Sequence, residues 1–272
     1  MTTRSKSDFS IAVAQSSSVK GDIDENIRRH ARFVSIAVEH GANVVVFPEL
    51  SLTGYEPIIA AETAIDSGDR RLNPLQDLSD RFDVTTIAGC PIRSDNAKPW
   101  IGAVIFRPDS PVDIYRKRFL HGDEVSHFSP CDDVVVCRSH GRDIGMAICA
   151  DIQNPAHPAD ASREGANVYV ASVAITPNGI VDAEASMSDH ARKHQFLSAM
   201  SNYASETGGY SIAGRSSIWN ESGEVIARAP EFGEYLIIAT TTPNGWKGKQ
   251  VAICNSRADV DAPLIPPQEK HA

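Results

Sequence analysis

Residues 11–47, IAVAQSSSVKGDIDENIRRHARFVSIAVEHGANVVVF, decide the fold class. IAVA (11–14) is a short apolar run, the mark of a buried strand. Ile23, Ile27, Ala31, Val34 and Val38 then recur at spacings of three or four, one face of an amphipathic helix, and Gly41 ends it. NVVVF (43–47) is a second buried strand, closed by Pro48. Strand, helix and strand in so short a stretch predict a βαβ unit with a parallel strand pair.

Outward from this unit the pattern predicts a helix over 72–82 and strands over 84–90, 101–106 and 112–115, the last two joined by the turn RPDSP. Residues 134–137 and 144–149 form an expected strand pair around RSHGRD, followed by a short helix over 159–165 and a strand over 168–173. A long helix is expected over 189–206, with Phe196, Met200 and Tyr203 on one face. Four short strands follow, at 210–213, 216–219, 224–229 and 235–240, hairpin-like and so antiparallel. Parallel and antiparallel pairs together predict an α/β protein with mixed sheets. No linker, repeat or low-complexity segment interrupts the chain, so residues 1–272 are expected to form a single domain, with an extended proline-rich tail from about Asn255.

Composition excludes several functions. Of 272 residues 42% are hydrophobic, enough for a sizeable core. A net charge of −9 repels phosphate backbones and anionic lipid, so neither nucleic acid nor a membrane is an expected partner. No apolar run approaches the roughly 18 residues that span a bilayer, and the N-terminus, MTTRSKSDFS, lacks the apolar segment of a secretory leader. Five widely spaced cysteines do not form a disulfide framework, which points to a reducing, cytoplasmic setting.

Three residues with chemical potential follow strands. Glu49 stands just beyond NVVVF; a carboxyl group partly desolvated there has a raised pKa, which suits a general base, though a capping or salt-bridging glutamate would look the same. Lys117, in DIYRKRFLHGDE, is either a solvated lysine or a fixed positive charge for an oxyanion. Cys149, in DIGMAICADIQNP, ends a strand of small residues before a short helix; such an elbow exposes a nucleophile, whereas the bland reading is an inert buried thiol.

In this order the three blocks resemble the nitrilase (carbon–nitrogen hydrolase) superfamily. Its first block is matched by Phe47, Pro48, Glu49, Leu50, Leu52, Gly54 and Tyr55, its second by Tyr115, Arg116, Lys117, Leu120, Glu124 and Phe128, and its third by Gly145, Ile148, Cys149 and Asp151, with Gly165-Ala166 downstream. Gly214, Ser216, Ile218 and Gly223 fit a later block. The resemblance spans about residues 9–255 and lies nearest the amidase-like branches. It departs from the family at Ala150, where an aromatic residue is common, at Phe119, where histidine is common, and at Gln153-Asn154-Pro155, where a Phe-Pro-Glu triplet is common.

The resemblance implies a four-layer α-β-β-α sandwich and a Glu49–Lys117–Cys149 triad without metal or organic cofactor. It implies a thiol-dependent hydrolase of a non-peptide C–N bond, acting on a small carboxamide; N-carbamoyl hydrolysis, nitrile hydrolysis and a catalytically silent binding module are the alternatives. Lys117 and the Ala150 N–H would meet the oxyanion, and Glu124 would hold Lys117 or the substrate. Tyr55, His121, His157 and Ala174 are expected near the substrate, although both histidines also read as surface or packing residues. A homodimer or higher oligomer is expected, packed helix to helix. His121, His127, Cys131, Cys137 and His140 cluster in sequence but match no standard zinc spacing.

Overall fold

The computed structural model describes residues 9–95, 98–132 and 134–253. In chain order its elements are β1 (Ser10–Gln15), α1 (Ile23–Glu39), β2 (Val44–Val46), α2 (Ala60–Thr63), α3 (Asn73–Phe82), β3 (Thr85–Ile92), β4 (Trp100–Phe106), β5 (Asp113–Arg116), α4 (Glu124–His127), β6 (Val136–Ser139), β7 (Arg142–Ile148), α5 (Ala156–Arg163), β8 (Val168–Ser172), α6 (Ile180–His194), β9 (Leu197–Ser201), β10 (Ser217–Trp219), β11 (Val225–Arg228), β12 (Tyr235–Thr242) and β13 (Gly245–Ala252). The Asp22 carboxylate caps α1 by accepting the Glu25 N–H at 3.0 Å, and Asp24 and Glu25 place negative charge at its positive end. The expected βαβ unit is present: β1 and β2 pair in parallel across α1.

One sheet has seven strands in the order β13-β12-β1-β2-β3-β4-β5, the other six in the order β11-β10-β9-β8-β7-β6. Each has a parallel centre, β1-β2-β3 and β7-β8-β9, with antiparallel strands outside it. Strand alternation then builds the layers. Val44 and Val46 join Ile144, Met146 and Val170 in the core between the sheets. Val45 faces the other way and packs with Ile27 and Val34 of α1 and Leu75 and Leu78 of α3. Ala147 and Tyr169 pack outward against Ala161 of α5 and Met187 of α6. The result is a four-layer α-β-β-α sandwich. Strands covered on both faces show continuous apolar runs, which is why they were legible.

Three expectations need correction. The helix placed over 189–206 is α6, which ends at His194; Gln195 turns left-handed (φ +56°) and β9 follows. The spacing of Phe196, Met200 and Tyr203 imitated a helix, but Leu197 and Ala199 face the inter-sheet core while Phe196 and Met200 face α6, a period of two. Residues 210–213 hold only an isolated bridge between Thr207 and Tyr210. β13 was not expected, because an exposed edge strand of sequence GWKGKQVA carries little apolar signal. The tail from about Asn255 lies outside the described residues.

Candidate active site

The carboxyl ends of parallel strands are where α/β sheets build sites, and both halves of this one stand there. Glu49 follows β2 through Phe47 and Pro48. Its turn lies against β3 at Gly89, where a Cβ would sit 2.2 Å from the Leu50 nitrogen and 2.7 Å from the Pro48 oxygen, so only glycine admits it. Leu52 N–H donates to the Gly89 carbonyl (2.8 Å), and Gly89 N–H donates to Ser51 Oγ (3.1 Å). Behind Ser51 lies His30, its Nε2 2.9 Å from Ser51 Oγ and its Nδ1 2.6 Å from the Asn26 carbonyl, with the ring stacked on Phe47. Burial drops the His30 pKa to about 3, so the ring is neutral, donating from Nδ1 and accepting the Ser51 hydroxyl proton at Nε2.

Lys117 follows β5 and is fully buried. Its Nζ donates to Glu49 Oε1 (2.7 Å) and to Glu124 Oε1 and Oε2 (2.7 and 2.9 Å). Glu124 opens α4 and is buried as well; it also accepts the Tyr55 hydroxyl (2.8 Å) and the His121 N–H (2.7 Å). One ammonium thus lies between two buried carboxylates. Burial alone would lower the Lys117 pKa, but the negative charges of Glu49 and Glu124 hold it above the ordinary lysine value. Burial pushes Glu49 up to about 7 against the pull of Lys117, and Glu124 adds to the rise. Its Oε2 is buried without a hydrogen-bond partner, while the Cys149 thiol interacts with the same carboxyl group.

Cys149 follows β7 at the start of a 3-10 turn, Cys149–Gln153, with φ +44°, a conformation costly for a residue with a side chain. Desolvation raises its pKa, Glu49 and Glu124 raise it further, and Lys117 and the Ala174 N–H oppose them. The resting sulfur is therefore a thiol, and attack requires a base to take its proton. Glu49, titrating near neutrality beside it, has the position and charge such a base needs. The Ala150 N–H is among the first of the 3-10 turn, where amides lack intrahelical acceptors.

The sequence profile of the carbon-nitrogen hydrolase family matches residues 10–248. The chain belongs to that family, within the nitrilase superfamily. Among curated relatives, the glutamine-dependent NAD(+) synthetases of Thermotoga maritima and Acinetobacter baylyi are 24% and 26% identical over 84% of this chain, which spans 41% and 43% of their lengths. The protein N-terminal amidase of Saccharomyces cerevisiae is 24% identical over 56% of this chain and 39% of its own. Among solved structures, Saccharomyces cerevisiae Nit3 superposes with a TM-score of 0.80 at 22% identity, covering 88% of this chain and 91% of that one. An amidase from Nesterenkonia sp. AN1 superposes at 0.77 and 20% identity, covering 85% and 91%. These likenesses establish a shared fold.

The other expected residues of this hydrolase-family chain fall in different places. Tyr55 is half-buried and reaches the site through Glu124; Ala174 reaches it through its backbone N–H. His121 is exposed and lines, with Leu120, Ala150 and Asn154, an open cleft of about 390 Å³. His157 is a correction. It is 3% exposed, with Nε2 2.8 Å from the Tyr115 hydroxyl and Nδ1 2.8 Å from the Tyr169 hydroxyl, so it packs behind the elbow and has no ring nitrogen left for a substrate. Among the described residues no three His, Cys, Asp or Glu side chains are grouped to hold a metal, and no helix is long and apolar enough to cross a membrane. Sequence reasoning gave no role to Asp151, Tyr115, His30 or Tyr203, whose hydroxyl donates to the Glu49 carbonyl at 2.7 Å. The signal for Asp151 and Tyr115 was their fixed distance of two residues from Cys149 and Lys117.

Proposed function

We propose that this chain hydrolyses a primary carboxamide to a carboxylic acid and ammonia through a thioester on Cys149. The observation that carries the reading is Lys117 Nζ held 2.7 Å from both Glu49 Oε1 and Glu124 Oε1, with the second Glu49 oxygen buried and unpartnered and the Cys149 thiol interacting with the same carboxyl group. Glu49 takes the thiol proton as sulfur attacks the carbonyl carbon. The growing oxyanion is met by the Lys117 ammonium and the Ala150 N–H; one such donor is worth on the order of 3 kcal/mol. Protonated Glu49 gives its proton to the nitrogen, the C–N bond breaks and ammonia leaves. Water then attacks the thioester with Glu49 as base, the C–S bond breaks, and the proton returns to sulfur. Glu124, pinned by Tyr55 and the His121 N–H, positions Lys117.

Two relatives are named for their use of glutamine, whose side chain ends in a primary carboxamide. The Nesterenkonia amidase has been solved with butyramide in a cysteine variant. Both support an unhindered terminal amide as the substrate group. The open cleft beside Ala150 and His121 is where the rest of a small substrate would lie. We further infer a single domain acting in the cytoplasm as a homodimer or higher oligomer; Val181, 64% exposed on α6, supports a helix-side contact. Ammonia release from a panel of small amides, N-carbamoyl amino acids and nitriles tests the proposal. Release from amides that is lost in folded Cys149→Ala supports it. Release from carbamoyl compounds or nitriles alone moves the reading to those alternatives, and no release from any of them leaves a binding module.

A further inference from the structure

Asp151 joins the two halves of the site. It is fully buried, two residues beyond Cys149. Its Oδ2 accepts the N–H of Ile148, the residue before Cys149, at 2.9 Å. Its Oδ1 accepts the N–H groups of Arg118 (3.2 Å) and Phe119 (2.9 Å), the residues after Lys117. Its Oδ2 also accepts the hydroxyl of Tyr115, two residues before Lys117, at 2.6 Å. One carboxylate on the six-stranded side therefore grips the chain on both sides of Lys117, which extends from the seven-stranded sheet.

The network continues outward in only one direction. Tyr115 has one hydroxyl proton and gives it to Asp151, so its oxygen must accept from His157 Nε2–H at 2.8 Å. The buried ring is neutral, since burial lowers its pKa, so Nδ1 holds a lone pair and accepts the Tyr169 hydroxyl at 2.8 Å. Burial keeps both phenols protonated. Tyr169 to His157 to Tyr115 to Asp151 is a closed sequence of donors in which every step fixes the next.

We propose that Asp151, aligned by the Tyr169–His157–Tyr115 hydrogen-bond chain, is the positioning residue that sets the Lys117 ammonium against the Cys149 sulfur, and that His157 acts through it without touching substrate. The inference rests on the hydrolase reading above. A misplacement of about 1 Å can cost up to about a hundredfold in rate, so removal of a remote member should cost less but remain measurable.

The test compares His157→Leu, which loses both ring nitrogens, with His157→Gln, which offers one N–H and one acceptor at similar reach. The readouts are kcat, KM and the rate at which iodoacetamide alkylates Cys149, mapped by mass spectrometry with partly exposed Cys131 as the internal reference. His157→Leu should lower kcat and Cys149 alkylation by about tenfold, leave KM within about twofold and leave Cys131 unchanged; His157→Gln should recover most of the loss. Unchanged kcat and alkylation in folded His157→Leu overturn the proposal. So does a raised KM at constant kcat, which would put the ring on the substrate, or a glutamine variant as impaired as leucine. If His157→Leu does not fold, Tyr115→Phe cuts the same chain without changing ring volume, and wild-type rates in that variant overturn it equally. A wild-type protein whose Cys149 neither alkylates nor turns over any amide removes the hydrolase reading and this proposal with it; a reactive wild type matched by its variants removes only this one.

Discussion

The Glu49 turn and the Cys149 elbow are built alike and held differently. Each follows a parallel strand, each contains a residue with positive φ (Leu50 at +53°, Cys149 at +44°), and each is backed by a buried neutral histidine. His30 stays within its own sheet and helix: it reaches Asn26, Ser51 and, through Ser51, Gly89. His157 reaches across, through Tyr115, to the other sheet. Glu49 is fixed by close backbone approach and needs its local packing. Cys149 is fixed by a carboxylate shared between sheets and needs their mutual alignment. Damage on the first side should appear first as lost stability, and damage on the second as lost rate.

The largest expected effect is chemical. Cys149→Ala should reduce turnover by roughly 10⁴-fold or more while the protein stays folded; steady-state ammonia release with circular dichroism checks both. Lys117→Met should cost roughly 10²–10³-fold. It should also lower the denaturation midpoint, because Glu49 and Glu124 lose the cation between them. Gly89→Ala is the sharpest probe of the Glu49 side: a Cβ 2.2 Å from Leu50 N forces the turn away, and urea unfolding should show a loss of about 3 kcal/mol.

Two pH experiments sharpen the contrast. Glu49 must be ionised to accept the thiol proton, so kcat/KM should fall about tenfold per pH unit below about 7, where this buried carboxyl titrates, and not near its ordinary value of 4.5. His30 takes up its proton near pH 3 in the fold against 6.5 ordinarily, so the unfolded chain binds more protons between these values. The stability it confers is present above pH 6.5 and is lost as pH falls toward 3, with a slope of up to about 1.4 kcal/mol per pH unit. His30→Gln should be less stable at pH 7 but show a flatter decline with acid. An unaltered slope would mean that another group sets it.

The fold was legible where burial is two-sided. NVVVF and IAVA announce themselves because both faces of their strands are covered, and the residues that end β2 and β7 point to Glu49 and Cys149 by position. Where burial is absent the signal fails, as at β13, an exposed edge; β9 is buried on both faces, but Phe196, Met200 and Tyr203 share a helical spacing across the left-handed Gln195 that ends α6. The network behind the elbow was illegible for another reason. Tyr115 and His157 are 42 residues apart and Asp151 lies between them. No local pattern predicts that a polar histidine, expected at the substrate, folds under the elbow to complete two tyrosines.

The sheet order also bears on when this reactivity can arise. β1, the first of the described strands, lies between β2 and β12, and Ser10 is paired with Thr240. During synthesis Glu49, Lys117 and Cys149 all emerge well before that pairing partner does. The seven-stranded sheet cannot close around β1 until β12 has been made. Contacts of such sequence separation form late and slowly, so a nascent polypeptide carries Cys149 before β1 has its partner, and the proposed hydrolysis has to await β12.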